Sequence, residues 1–200
     1  MRDKKIALTG GIATGKTTVA GRFREIGAII LDADEYARQV VTPGTESWTV
    51  LRGALGASYF EPDGTLKRRE LREKISRDPG CREKLNAVLH PYILAAMWSE
   101  WKKQRALFPD TPVIFDIPLL FEGGFDKDFD VVILVYAPPE TQVERLMRRD
   151  GLSREEAQRN LSMQYPIETK KAISHHIIDN SGDLENTLRQ TDEIWRYLIQ

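Results

Sequence analysis

A run of about thirty residues near the start constrains the fold more than any other part of the chain. Lys5 to Leu8 is a short apolar stretch that ends at Thr9-Gly10-Gly11, the pattern of a buried strand running into a glycine-rich turn. From Lys16 onward, Val19, Ala20, Phe23 and Ile26 recur at helical spacing and the pattern stops at Gly27, a helix with a glycine just past its end. Ile29-Ile30-Leu31 is a second apolar run, closed by Asp32. Strand, turn, helix and strand make a βαβ unit. Its strands are expected to be parallel and its crossover right-handed.

The turn inside this unit, Gly10-Gly11-Ile12-Ala13-Thr14-Gly15-Lys16-Thr17, fits the P-loop pattern G-x-x-x-x-G-K-[ST] without a mismatch. Glycines let backbone N–H groups curl around phosphate oxygens, and the helix that follows presents its positive dipole end. Gly11, Ile12, Ala13, Thr14, Gly15, Lys16, Thr17 and Thr18 are therefore expected to bind ATP. Lys16 supplies a point charge for the outer phosphates, and the Thr17 hydroxyl is the expected Mg²⁺ ligand. Val113-Ile114-Phe115-Asp116 is a further apolar run ending in a carboxylate. In that place Asp116 could hold the metal directly or through water, as the acidic residue of a Walker B element does.

The remaining segments fill out a layered α/β fold. Val131 to Tyr136 and His176 to Asp179 read as strands, the first of them central and covered on both faces. Pro139 to Met163 is charged and helical with a break near Gly151. Asp183 to Ile199 is a closing helix with Leu184, Leu188, Ile194 and Leu198 expected inward. Between Thr42 and Pro112 the character changes to proline- and tryptophan-bearing helical patterns such as Trp48-Leu51-Leu55. The expectation is a single P-loop kinase domain with a central parallel five-stranded sheet flanked by helices. Its core covers 1–41, 112–139 and 171–200, an inserted helical lobe covers 42–111, and a lid covers 140–170.

Composition narrows the partners. The net charge of −1 provides no global positive field for nucleic acid, so any anion site must be built locally. One cysteine, Cys81, cannot form an intrachain disulfide and fits a reducing compartment. No apolar stretch approaches the ~20 residues of a membrane span, and no signal-peptide core is visible. A cytoplasmic location, with no membrane and no nucleic acid as partner, is the expectation.

A P-loop implies a nucleotide but not its fate. Three features favour phosphoryl transfer to a small acceptor. Asp32-Ala33-Asp34 follows the second strand, where open α/β sheets bind ligands. A carboxylate there can take the proton of an attacking hydroxyl, with Asp34 the first choice as base and Asp32 the second; either could also cap the next helix. Arg145, Arg148, Arg149, Arg154 and Arg159 cluster in the lid, where guanidinium groups can meet the charge of the transferred phosphoryl. Arg145 and Arg149 are the foremost of these, although interleaved glutamates also suit a solvated, salt-bridged helix. Finally, an inserted lobe can wall off an acceptor. Its polar candidates are Asn86, His90 and Arg68, and Pro91 is expected to break or restart the helix, leaving His90 at a helix end.

Taken together, these residues resemble the dephospho-coenzyme A kinase family over essentially the whole chain. The matching pieces are Leu8 to Thr17, Asp32-Ala33-Asp34, Val41-Thr42-Pro43-Gly44, Leu66 to Leu71, Leu85 to Pro91, Phe115-Asp116-Ile117-Pro118-Leu119-Leu120-Phe121-Glu122, and Ile178-Asp179-Asn180-Ser181-Gly182. The resemblance implies transfer of phosphate from ATP to the ribose 3′-hydroxyl of dephospho-coenzyme A, giving coenzyme A. It implies that Asp34, His90 and the run Pro118, Leu119, Leu120, Phe121 and Glu122 lie near the acceptor, with Asn180 near adenine. The chain departs from the family pattern in three places. Ala13 stands where the family often has glycine, Ser174-His175 precedes the last strand, and Asn160 occupies a lid position that is often arginine, with Arg159 beside it. Two other readings remain open: a kinase of another nucleoside or nucleotide, and a nucleotide-binding switch. The switch would draw on Asn180-Ser181-Gly182-Asp183, which has the spacing of a guanine-reading motif but lacks its lysine.

Overall fold

The computed structural model describes residues 4–200, apart from the side chains at positions 72, 75–77, 79, 82 and 83. Along the chain the elements are β1 (Ile6–Gly10), α1 (Lys16–Glu25), β2 (Ile29–Asp32), α2 (Ala33–Gln39), α3 (Glu46–Leu55), α4 (Arg68–Arg77), α5 (Pro79–Leu107), β3 (Val113–Asp116), β4 (Val131–Tyr136), α6 (Pro139–Asp150), α7 (Arg154–Ser162), α8 (Ile167–Ile173), β5 (His176–Asp179) and α9 (Leu184–Ile199). The chain divides into two compact units, one formed by 1–32 with 101–200 and the other by 33–100.

The first unit is built on the five strands, in the order β2-β3-β1-β4-β5, all pairs parallel. Their apolar sequences explain the layering. β1, β3 and β4 are buried at every position, as strands covered by helices on both faces must be. Val19, Ala20 and Phe23 of α1 pack with Leu8, Ile133, Ile178, Ile194 and Leu198 in the main core, and Phe115 meets Phe129 edge-on at 5.1 Å. The registers align the strand ends, so that Leu8 pairs with Asp116 and Asp32 with Asp116. The C-terminal ends of β1, β2 and β3 therefore carry the phosphate loop and two carboxylates side by side.

On α9 the expected inward face is only partly right. Ile194 and Leu198 are buried, but Leu184 is 57% exposed in the first turn. Thr187 and Thr191 take buried positions instead. Their hydroxyls are satisfied by donation to Asn180 Oδ1 at 2.8 Å and to Thr187 O at 2.8 Å, which makes burial of a polar group affordable.

The second unit has its own small core of Val41, Leu51, Phe60, Leu66 and Leu71, with Trp48, Leu55, Leu85 and Val88 packed against it. Trp48 meets Phe60 edge-on and donates its indole N–H to Gly64 O at 2.8 Å. This unit runs from Ala33 to Glu100, and the first unit resumes at Trp101, within α5. Pro91 does not break α5, which continues through it to Leu107. Proline removes one helical hydrogen bond, and the other bonds of this long helix carry the chain past it. His90 is accordingly a mid-helix residue.

Candidate active site

The phosphate loop is held from several sides. Gly15 adopts φ +90° at the start of α1, a left-handed conformation that glycine takes without penalty. Ala13 is also left-handed, at φ 59°, so the loop forms despite the side chain at that position. Thr14 is buried, and its hydroxyl donates to Gly11 O at 2.9 Å. Asn180, just past β5, donates from Nδ2 to Thr14 O at 2.7 Å and accepts from the Thr187 hydroxyl.

Two glutamines beyond β4 complete the cradle, and neither stands out in the sequence. Gln142 of α6 is 1% exposed and donates from Nε2 to Ala137 O at 2.8 Å. A Cβ added to Gly11 would lie 2.5 Å from Gln142 Oε1, so this glycine is required by close approach. Gln164, between α7 and α8, accepts the Ile12 amide N–H at 2.8 Å. Both glutamines line a cleft of about 490 Å³ between α6, α7 and α8.

The charged groups gather at the strand ends. Lys16 Nζ forms an ion pair with Asp116 Oδ1, and Asp116 is 5% exposed. Asp32 ends β2 in register with Asp116. The Thr17 hydroxyl in the first turn of α1 and the Asp116 carboxylate are hard oxygen donors of the kind Mg²⁺ takes. Mg²⁺ sites use one or two carboxylates together with substrate phosphates, so the residues present fit that ion. Thr18 follows at the exposed start of the helix.

Arg145 reaches the same region and donates to Asn180 O at 2.8 Å. Arg149 does not: it is exposed and forms a two-pronged pair with its neighbour Asp150 at 2.8 and 2.9 Å. Arg154 is likewise engaged, by Glu140.

In the loop after β3, Leu120 and Phe121 turn inward as core anchors, whereas Leu119 is 37% exposed. Pro118 O accepts from the Thr9 hydroxyl at 3.2 Å. Glu122 Oε1 is engaged by Lys170 Nζ at 2.6 Å and by the Tyr165 amide N–H at 3.0 Å. Of the sequence candidates in the second unit, Asp34 stands in the first turn of α2 and Arg68 at the exposed start of α4. His90 is half-buried in α5, and burial pushes its imidazole below the ordinary value.

Known proteins resemble the whole chain. The family model described as dephospho-CoA kinase matches residues 4–186. A dephospho-CoA kinase of Anaeromyxobacter dehalogenans is 41% identical over 190 residues, covering 94% of this chain and 89% of that protein. Among solved structures, TT1252 of Thermus thermophilus aligns with a TM-score of 0.78 at 32% identity over 99% of both chains. A dephospho-CoA kinase of Campylobacter jejuni shares the fold at a TM-score of 0.72 and 23% identity, over 97% of this chain and 96% of that one. A phosphate loop seated on the central strand, a lysine–carboxylate pair at the strand ends and this similarity along the full chain lead to one conclusion: the chain belongs to the dephospho-CoA kinase family.

Proposed function

We propose that this enzyme transfers the γ-phosphate of ATP to the ribose 3′-hydroxyl of dephospho-coenzyme A, the last step of coenzyme A synthesis. The observation that supports the reading is the Lys16–Asp116 pair at the end of β3 beside the phosphate loop, a cation of the kind that meets phosphate next to a carboxylate of the kind that holds Mg²⁺. In the reaction the acceptor oxygen forms a bond to the γ-phosphorus, and the bond from that phosphorus to the β–γ bridging oxygen breaks. ADP departs, and the hydroxyl proton passes to Asp34. The loop from Gly11 to Thr18 orients the phosphates, with the amides of Ile12, Thr14 and Thr18 holding the loop's own shape through Gln164 Oε1, Gly11 O and Gly15 O, and Lys16 and Arg145 meet the charge that spreads over the γ-phosphoryl oxygens. Thr17 and Asp116, with Asp32 beside them, would hold Mg²⁺, which when bound neutralises charge on the β- and γ-phosphates.

Arg68, His90 and the Pro118–Glu122 run are the proposed acceptor contacts, with the 42–111 lobe as the acceptor-binding region and 140–170 as the lid. Dependence on ATP fits a cytoplasmic location. A coupled assay with ATP, Mg²⁺ and dephospho-coenzyme A tests the reading. Lys16→Ala and Asp34→Asn are expected to abolish product with an unchanged circular dichroism spectrum, and a fully active Asp34→Asn enzyme removes that residue from the role of base. A panel of other nucleosides and nucleotides that stays unphosphorylated excludes the neighbouring kinase activities.

A further inference from the structure

The connector between α7 and α8 bonds to two functional loops through adjacent residues. Gln164 Oε1 accepts the amide of Ile12, in the phosphate loop, at 2.8 Å. The amide of the next residue, Tyr165, donates to Glu122 Oε1, in the loop after β3, at 3.0 Å. The Gln164 side chain and one peptide plane separate the two anchor points. That plane is rigid, and Pro166 fixes the backbone directly after it at φ −51°. A shift at one anchor is therefore passed to the other.

The Glu122 anchor is a built one. Lys170 of α8 is fully buried, with its ammonium 2.6 Å from Glu122 Oε1, and the glutamate side chain is 15% exposed. A lysine is almost never buried unless paired, because desolvating both ions costs several kcal/mol. This pair ties α8, and with it the connector, to a loop that carries the run Pro118 to Glu122. The Glu122 oxygen that holds the connector is thereby occupied twice over.

We propose that Gln164-Tyr165 is a positioning strap that registers the loop after β3 against the phosphate loop, with Lys170–Glu122 as its anchor. The proposal rests on the phosphoryl-transfer reading, in which donor and acceptor must be aligned closely; a misplacement of about 1 Å costs up to ~10²-fold in rate. Gln164, Tyr165 and Lys170 act through the loops they hold and touch neither substrate.

Hydrogen exchange on the full chain, with and without ATP and Mg²⁺, tests the strap. The Gly123 and Gly124 amides donate to Leu119 O and Phe121 O, each at 3.0 Å, and report on the loop from within. In the parent, nucleotide is expected to slow exchange across 117–124 several-fold. Gln164→Ala should still bind nucleotide but lose that slowing. Lys170→Met combined with Glu122→Leu should lose it as well. The two variants cut the strap at opposite ends, so either one decides if the other fails to fold or to bind nucleotide. Equal slowing in the parent and the cut variants, or none in the parent, overturns the proposal. No acceptor is needed, so a parent that shows the strap effect yet makes no coenzyme A condemns only the substrate reading, and one that makes coenzyme A without the effect condemns only the strap.

Discussion

Gly15 shows how closely the chemistry is written into single positions. At φ +90° any side chain is strained, and a Cβ there would lie 2.1 Å from Asn180 Nδ2. That amide is not free to retreat, since it holds Thr14 O while its oxygen takes the Thr187 hydroxyl. Gly15→Ala is expected to weaken ATP binding at least tenfold while leaving the fold intact, measured by nucleotide titration beside a circular dichroism spectrum. Lys16, Thr17 and the loop glycines are legible in the sequence because their roles depend on a fixed local spacing. Gln142 and Gln164 are not, because their partners Gly11 and Ile12 lie more than a hundred positions earlier in the chain and no local pattern marks either residue. Lys170 is concealed in a different way: in a charged helix it reads as solvated, and only the carboxylate of Glu122 makes its burial possible.

Among the elements, α6 separates two arginines that sequence spacing treats alike. Arg145 faces inward to Asn180 O, and Arg149 is spent on Asp150 at the exposed end of the helix. Arg145→Ala is expected to lower kcat/KM for ATP by at least tenfold more than Arg149→Ala, read from steady-state kinetics of the two variants. The strands were legible because continuous apolar runs bounded by glycine or aspartate have few other solutions at that length. The helix breaks were legible where capping chemistry marks them: Ser153 and Glu156 form a capping box at the start of α7, close to the expected break at Gly151. The continuation of α5 through Pro91 was not, because a local rule about proline is outweighed by a helix of 29 residues. The exposed Leu184 and buried threonines of α9 have the same origin, since hydroxyls that find acceptors, Thr187 in Asn180 and Thr191 along its own helix, can replace apolar side chains in a core.

For the molecule as a whole, the titration of two histidines sets a direction for stability. Burial pushes His90 and His176 below the ordinary value of 6.5, and neighbouring His175 and Lys4 add to the effect at His176. Below that value the unfolded chain binds protons that the folded chain refuses, so stability is fully present above about pH 6.5 and falls as the pH drops through the window beneath it. The urea midpoint is expected to decline between about pH 7 and 5, with a shallower slope in His90→Gln. The depressed aspartates, Asp192 beside Arg22 among them, start from an ordinary value of 3.8 and titrate below this window.

The order of the sheet has a further consequence. The phosphate loop springs from β1, the middle strand, buried at all five positions and paired along both edges. Segments anchored in this way open only when the structure around them opens. The root of the loop in β1 thus has no private route to melting, and heat that spares the sheet leaves that root in place.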